Sequence, residues 1–402
     1  MGAELQARTE PGRRLILLAE QLAADLATRA ADHDRDGSYP HEAVAALRDG
    51  GYLAAPIPQA LGGMGVESVH DLIVAASRLA RGDASVAIGA SMHLIPLVNT
   101  AHRWRAATLA GDARRAAAYG GTLERVAREG AVMAAAVSEP NQDLTRPRTR
   151  ADRTDDGWVV SGHKVFCTMS PAATELYAAV TFDDGEGERY GYVRIPASAA
   201  GVRMNGDWDA LGMRASGSQS VSFDDVHLPA AALRGGFPAG RLTDEFMEAN
   251  LVAGGLHAAS SLGISEAALA VAVGGMAPKV AEHGPAPRAL VLVAEAEVEL
   301  SAVRASVARA GDLIDAHLLR PEDDVAEVFA DVQAAKAFVN EAAVRIVDRA
   351  LALSGGAGYM TAHPLSRAYR DVRAGAFMHP LGANRAYEFI GEVALGLAPT
   401  LS

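Results

Sequence analysis

The stretch GWVVSGHKVFCTMSPAA, residues 157–173, changes character twice. It opens as an alternating β-branched run, turns aromatic and polar at Phe166-Cys167-Thr168, and breaks at Pro171. β-Branched and aromatic residues in short runs fit a pleated, half-buried surface, and proline ends such a run because it has no N–H to give to a ladder. Neighbouring segments share the texture. LYAAVTF (176–182), RYGYVRIP (189–196) and QSVSFDDVHLP (219–229) are short and are separated by Asp-Gly and Gly-rich turns. Residues 132–230 therefore read as a β domain of short antiparallel strands, in which Ser220-Val221-Ser222-Phe223 has one wet face.

On both sides the texture is helical. In residues 1–131, Pro40 opens a helix that ends at Gly50-Gly51, and an apolar helical stretch runs from Leu72 to about Leu97. In residues 231–402 the helices lengthen. Val325, Val328, Phe329, Val332, Val339 and Ile346 approximate a helical stripe, and long runs with few breakers imply a helical bundle. A break at Ser354-Gly-Gly-Ala-Gly358 precedes the last helices. The order is helical, β, helical, an α+β class.

The chain has 402 residues, a net charge of −12 and one cysteine. The negative balance argues against nucleic acid or an anionic membrane as partner, and a lone cysteine excludes an internal disulfide. The opening MGAELQARTEPGRR carries acids and arginines where a secretory leader needs an apolar core, and Gln6 stands where myristoylation prefers Ser or Thr. No uninterrupted apolar run reaches bilayer-spanning length, so a cytoplasmic protein without a membrane anchor is expected. There is no GxxxxGK[ST], no HExxH and no CxxC pair, so no metal site is expected. Gly355, Gly356 and Gly358 miss the dinucleotide fingerprint, because Thr361 stands at its last glycine. Spacing alone yields no reaction.

Element order and local motifs together resemble the acyl-CoA dehydrogenase superfamily over nearly the whole chain. The matching stretches are the GGMG loop at 62–65, AVSEPNQD at 136–143, GWVVSGHKVFCT at 157–168, DALGMRASGSQSVSFDDVHLP at 209–229 and SGGAGYM at 354–360. The resemblance implies an N-terminal helical domain (1–131), a middle β-barrel (132–230) and a C-terminal four-helix bundle (231–402), assembled as a homotetramer around a flavin, FAD or FMN. It places Phe166 over the flavin ring, Thr168 beside N5 and Ser138 nearby. Arg214 and Ser216 would meet the phosphate or ribose, and Gly355 and Gly356 belong to the cofactor-binding motifs. In an isolated strand the same Phe166 would read as barrel core and Thr168 as a turn cap. Cys167 reads as a small buried hydrophobe.

The family's usual reaction takes an α-proton from an acyl thioester and needs a carboxylate base. Leu381 stands at the usual position, and Glu388 comes too late. An earlier-helix base falls on Ala253 or on Glu248, depending on whether Ser261-Leu262-Gly263 or Gly254-Gly255 anchors the alignment. The family's RxxFG segment, which helps hold a neighbouring subunit's FAD, is missing from 273–290.

These departures resemble the oxygenase branch, whose members take reduced flavin from a separate reductase and use O2. SEPNQDLTRP and DWDALGMRASGS look like the amino-sugar N-oxygenases, the nitrososynthases of antibiotic biosynthesis, which act on a nucleotide-linked amino sugar. The resemblance puts His93 and His379 near active-site histidine positions, with helix packing or capping as the plain reading of each. A proton-accepting His379 predicts rates rising with pH through the histidine range. The basic RPRTRADR run (146–153) reads first as a solvated face. Two alternatives stay open: an acyl-CoA dehydrogenase using Glu248, and a non-catalytic interaction protein on the same fold.

Overall fold

The computed structural model describes residues 4–400 except 142, 234 and 321–323. Six helices come first: α1 (Glu10–Ala27), α2 (Ala30–Asp36), α3 (His41–Asp49), α4 (Val69–Gly82), α5 (Ala84–Leu109) and α6 (Ala113–Glu129). The apolar stretch from Leu72 to Leu97 is two helices rather than one. The Asp83 carboxylate accepts the N–H groups of Ser85 and Val86 at 2.8 and 3.3 Å and restarts the chain as α5, satisfying donors that a helix start leaves orphaned.

Among the described residues eight strands follow: β1 (Met133–Ala136), β2 (Arg150–Arg153), β3 (Gly157–Lys164), β4 (Glu175–Asp183), β5 (Glu188–Pro196), β6 (Val202–Met204), β7 (Val221–Pro229) and β8 (Phe237–Pro238). They form one sheet in the order β6-β7-β3-β2-β4-β5-β8, with β1 attached to β4. The pairing is not wholly antiparallel, as the sequence suggested: β1 runs parallel to β4, and β2 meets β4 in parallel at Arg150 and Thr181. The sheet also outlasts the expected boundary at 230, because β8 pairs with β5. The supposed wet face of β7 is buried too. Ser220 and Ser222 are 6% and 8% exposed; the Ser220 hydroxyl donates to the Asp207 carboxylate, and the Ser222 hydroxyl accepts from Asn205 Nδ2.

The C-terminal part consists of α7 (Asp244–His283), α8 (Pro287–Leu319), α9 (Val325–Ser354), α10 (Pro364–Asp371) and α11 (Ala383–Ala394). Of the expected four-helix bundle, α7, α8 and α9 pack against one another while the short α11 packs mainly on α9, and α7 also packs against α4 and α5. At Gly263 a Cβ would lie 2.3 Å from the Ser77 carbonyl, so only glycine lets α7 approach α4 this closely. Helices from both ends of the chain, Leu72 and Leu79 with Leu251, Leu262 and Ile346, share one core, while the sheet keeps its own around Trp158, Val180 and Phe223. In contrast to the reading of short apolar runs, α5 and α7 are long and apolar enough to span a membrane, but 83% and 78% of their most apolar windows are buried inside the protein. They are core helices.

Candidate active site

β3 stops at Lys164, so Phe166-Cys167-Thr168 lies beyond the strand rather than at its end. The Lys164 ammonium is buried and sits 2.6 Å from Glu139. Val165 N–H donates to the Ser138 carbonyl, Cys167 N–H to Gln219 and Met169 N–H to Ser216. Held on both sides, the segment turns at Phe166, whose φ is +54°, a conformation uncommon for a bulky residue and worth reading as functional. The turn throws the phenyl ring outward, 59% exposed, into a two-lobed cavity. Cys167 points the other way into the sheet core, and burial pushes its thiol up to about 12.

One lobe, about 510 Å³, lies among Ser138, Asn141, Leu144, Phe377, His379 and Arg385. The other, about 320 Å³, is walled by Ile88, Met92, Thr168, Trp208, Ser216 and Met213. Ser138, Phe166, Phe377 and His379 border both. Trp208 meets Phe166 edge to face, ring centres 6.0 Å apart, and its indole N–H donates to the Met213 carbonyl. That loop is pinned to α10: Met213 N–H donates to buried Asp371 at 2.6 Å, and a Cβ at Gly212 would collide with the Arg370 carbonyl at 2.3 Å. Three hydroxyls form a chain at the cavity wall, with Ser218 Oγ 2.9 Å from Thr168 Oγ1 and 2.6 Å from Ser216 Oγ.

His379 hangs between α7 and α9. Its Nε2 lies 2.9 Å from Asn250 Oδ1, and its carbonyl accepts from His257 Nδ1 at 2.5 Å and from Lys336 Nζ at 3.3 Å. Lys336 also donates to the carbonyls of Met378 and Leu381, at 2.6 and 2.8 Å. Burial, with His257 and Lys336 close by, pushes His379 down to about 3. The ring is therefore neutral throughout the ordinary range, and a rate rising through the histidine range is not expected from it.

The other sequence candidates fare differently. Ser138, Phe166, Thr168 and Ser216 line the cavity with His379; His93, Glu248, Arg214, Gly355 and Gly356 do not. His93 is fully buried, accepting the Met133 N–H on Nδ1 and donating from Nε2 to the Leu53 carbonyl; it is a packing residue that ties α5 to β1. Glu248 lies on the exposed face of α7, outside the lining of both lobes. Ala253 is buried in α7. Arg214 is spent on the Asp34 and Ala210 carbonyls and on Asp209. Gly355 and Gly356 are exposed in a turn after α9. Leu381 is core.

Among the described residues lining the two lobes, Glu139 is the one acid. Burial alone would raise its pKa, but Lys164 and hydrogen bonds from Thr149 and the Arg148 N–H hold it below the usual carboxylate range. Sequence reasoning missed Phe377, Asn250, His257 and Lys336, which belong to no local motif. Trp208 sat inside a quoted motif without being singled out.

Three models of the acyl-CoA dehydrogenase family match the chain: the N-terminal domain over 17–104, the middle domain over 134–226 and the C-terminal domain over 255–380. The chain is 34% identical to L-evernosamine nitrososynthase of a Micromonospora species, covering 99% of this chain and 94% of that one. It is also 31% identical to a putative acyl-CoA dehydrogenase of Bacillus subtilis, over 90% and 91% of the two chains. Among solved structures, KijD3 in complex with FMN and dTDP-3-amino-2,3,6-trideoxy-4-keto-3-methyl-D-glucose superposes with a TM-score of 0.89 at 31% identity, covering 98% of this chain and 96% of that one. Motif order, fold and full-length similarity agree: the chain belongs to the acyl-CoA dehydrogenase superfamily, in the oxygenase branch that includes the amino-sugar nitrososynthases.

Proposed function

We propose that the protein is a flavin-dependent N-oxygenase. It takes reduced FMN from a separate reductase and, with O2, converts the amine of a nucleotide-linked amino sugar to the hydroxylamine and then the nitroso product. The observation that carries this reading is the state of Glu139. Among the described residues, Glu139 is the one acid at the cavity, its side chain is shut off from solvent in an ion pair with Lys164, and the resemblance puts buried Leu381 at the usual base position, so those residues offer an α-proton no free carboxylate. The similarity to the Micromonospora nitrososynthase and to KijD3 points the same way.

The residues present fit a flavin. An aromatic ring left 59% exposed inside a cavity, braced edge-on by Trp208, suits stacking against a flat heterocycle. The Thr168, Ser216 and Ser218 hydroxyls and Ser138 supply hydrogen bonds around it. Bound reduced flavin would supply the electrons that activate O2. The chain's own residues handle the amine. Oxygen transfer needs its lone pair, and the apolar walls at Ile88, Met92 and Met213 disfavour an ammonium. Neutral His379 then accepts a hydrogen bond from the free amine. A homotetramer in the cytoplasm completes the reading: the exposed Tyr359 and Met360, beside Gly355 and Gly356, provide an apolar surface for a second copy.

The test combines purified protein, a flavin reductase, NADH, FMN and dTDP-linked 3-amino sugars under air. Hydroxylamine and nitroso products by mass spectrometry support the proposal. Anaerobic reduction of the bound flavin by an acyl-CoA, with no amine oxidised, would overturn it.

A further inference from the structure

We propose that Asn250 is a positioning residue that fixes His379 in its Nε2–H tautomer, so that the ring offers the cavity an unprotonated Nδ1. The inference rests on the function proposed above and adds a residue and a direction to it.

Asn250 is 4% exposed on α7, so its amide must be satisfied internally. Its Nδ2 donates to the Phe246 carbonyl at 2.8 Å. Turning the amide over would set Oδ1 against the Phe246 carbonyl, acceptor against acceptor. The amide orientation is thus set by its helix, and Oδ1 is left for His379 Nε2 at 2.9 Å. An amide oxygen only accepts, so Nε2 must carry the hydrogen. In a neutral imidazole the other nitrogen is then a bare acceptor. Nδ1 has no protein partner among the described residues, and the ring borders both lobes.

The backbone beneath the ring is equally constrained. Lys336 spends its donors on the carbonyls of Met378, His379 and Leu381, and His257 donates to the same His379 carbonyl. The charged or titratable groups around His379 are thus His257 on α7, Lys336 on α9, Arg385 on α11, and Glu139, Arg370 and Arg373 on the cavity walls. The only acid of this set, Glu139, is paired with Lys164, so nothing there stabilises an imidazolium. Asn250 can orient the ring without charging it. An aspartate in its place would orient and charge it together, because an opposite charge at that distance favours the protonated form.

The experiment uses the full protein labelled with ¹³Cε1/¹⁵N histidine, the His379 signals being assigned by their loss in His379→Ala. In the wild type the shifts should report Nε2–H with unprotonated Nδ1 and no ring protonation from about pH 5.5 to 9, any drift near pH 7 tracking Lys336, which burial pushes down to about 7. Asn250→Asp should make His379 titrate in that window. Product formed per NADH should fall about tenfold per pH unit below the new pKa and recover above it. Asn250→Leu, which adds no charge, should mix the tautomers and lower coupling at every pH. A wild-type His379 carrying its hydrogen on Nδ1, or Asn250 variants whose shifts and coupling superimpose on the wild type, would overturn the inference. If the wild type oxidises no amine, the proposed function fails while the tautomer result stands on its own.

Discussion

The Lys164 ammonium lies 2.6 Å from the Glu139 carboxylate, both side chains shut off from solvent at the floor of the segment that presents Phe166. Removing one partner of such a pair strands the other charge, which costs about 3–5 kcal/mol. Glu139→Gln should lose stability on that scale in urea denaturation. Because the folded state holds Glu139 below its unfolded pKa, the pair stabilises above the usual carboxylate range and its contribution fades as pH falls through the folded value. The variant's stability should accordingly depend less on pH in acid.

Glu248 gives the contrast. It is exposed on α7 and no part of the cavity, so Glu248→Gln should change stability by less than about 0.5 kcal/mol and leave amine oxidation unaltered. Loss of an acyl-CoA-dependent flavin reduction in this variant would instead restore the dehydrogenase reading.

The sequence made the helical–β–helical order legible because periodicity reports which faces are buried. It also made the cavity's β-side wall legible, since Ser138, Phe166, Thr168 and Ser216 lie in contiguous motifs. The other wall was not legible. Asn250, His257 and Lys336 lie on two helices far apart in sequence, and only the crossing of α7 and α9 brings them to His379. Similarly, Arg214 and His93 have residue types that suit ligand contacts, and nothing local reveals that Asp34, Met133 and Leu53 already occupy them.

Phe166→Ala removes the exposed ring that Trp208 braces. Aromatic stacking contributes roughly 0.5–1.5 kcal/mol beyond the area it buries, so affinity for reduced FMN should fall about tenfold or more. Anaerobic fluorescence titration with reduced FMN measures this. Stability should hardly change, because the ring is not part of the core. An unaltered affinity would remove Phe166 from the flavin site.

His93→Ala should act on stability rather than chemistry. It leaves the Met133 N–H and the Leu53 carbonyl buried without partners, at about 1–3 kcal/mol each. Burial pushes His93 down to about 4, so between that value and the unfolded pKa near 6.5 the unfolded chain binds the extra proton. Stability should therefore decline as pH falls through this window, by about 1.4 kcal/mol per pH unit for one group. The variant should lack that increment, while the product formed per NADH by its folded fraction should match the wild type.

His379 does not set the pH slope of the reaction. Its ring is neutral well below neutrality, because burial, His257 and Lys336 all oppose its charging. The substrate's own ammonium group then sets how much free amine is present, while Lys336 and Asp371, which burial pushes down and up to about 7, titrate in the same range outside the cavity lining. Below that group's pKa the free amine falls tenfold per pH unit, so kcat/KM should rise with a slope near one across neutral pH, without a break near 6.5. His379→Ala should keep the slope, since the slope belongs to the substrate, yet lose coupling: less product per NADH and correspondingly more hydrogen peroxide. A wild-type break near 6.5 that disappears in His379→Ala would mean instead that the imidazole takes the proton itself and that the cavity does not suppress its charging.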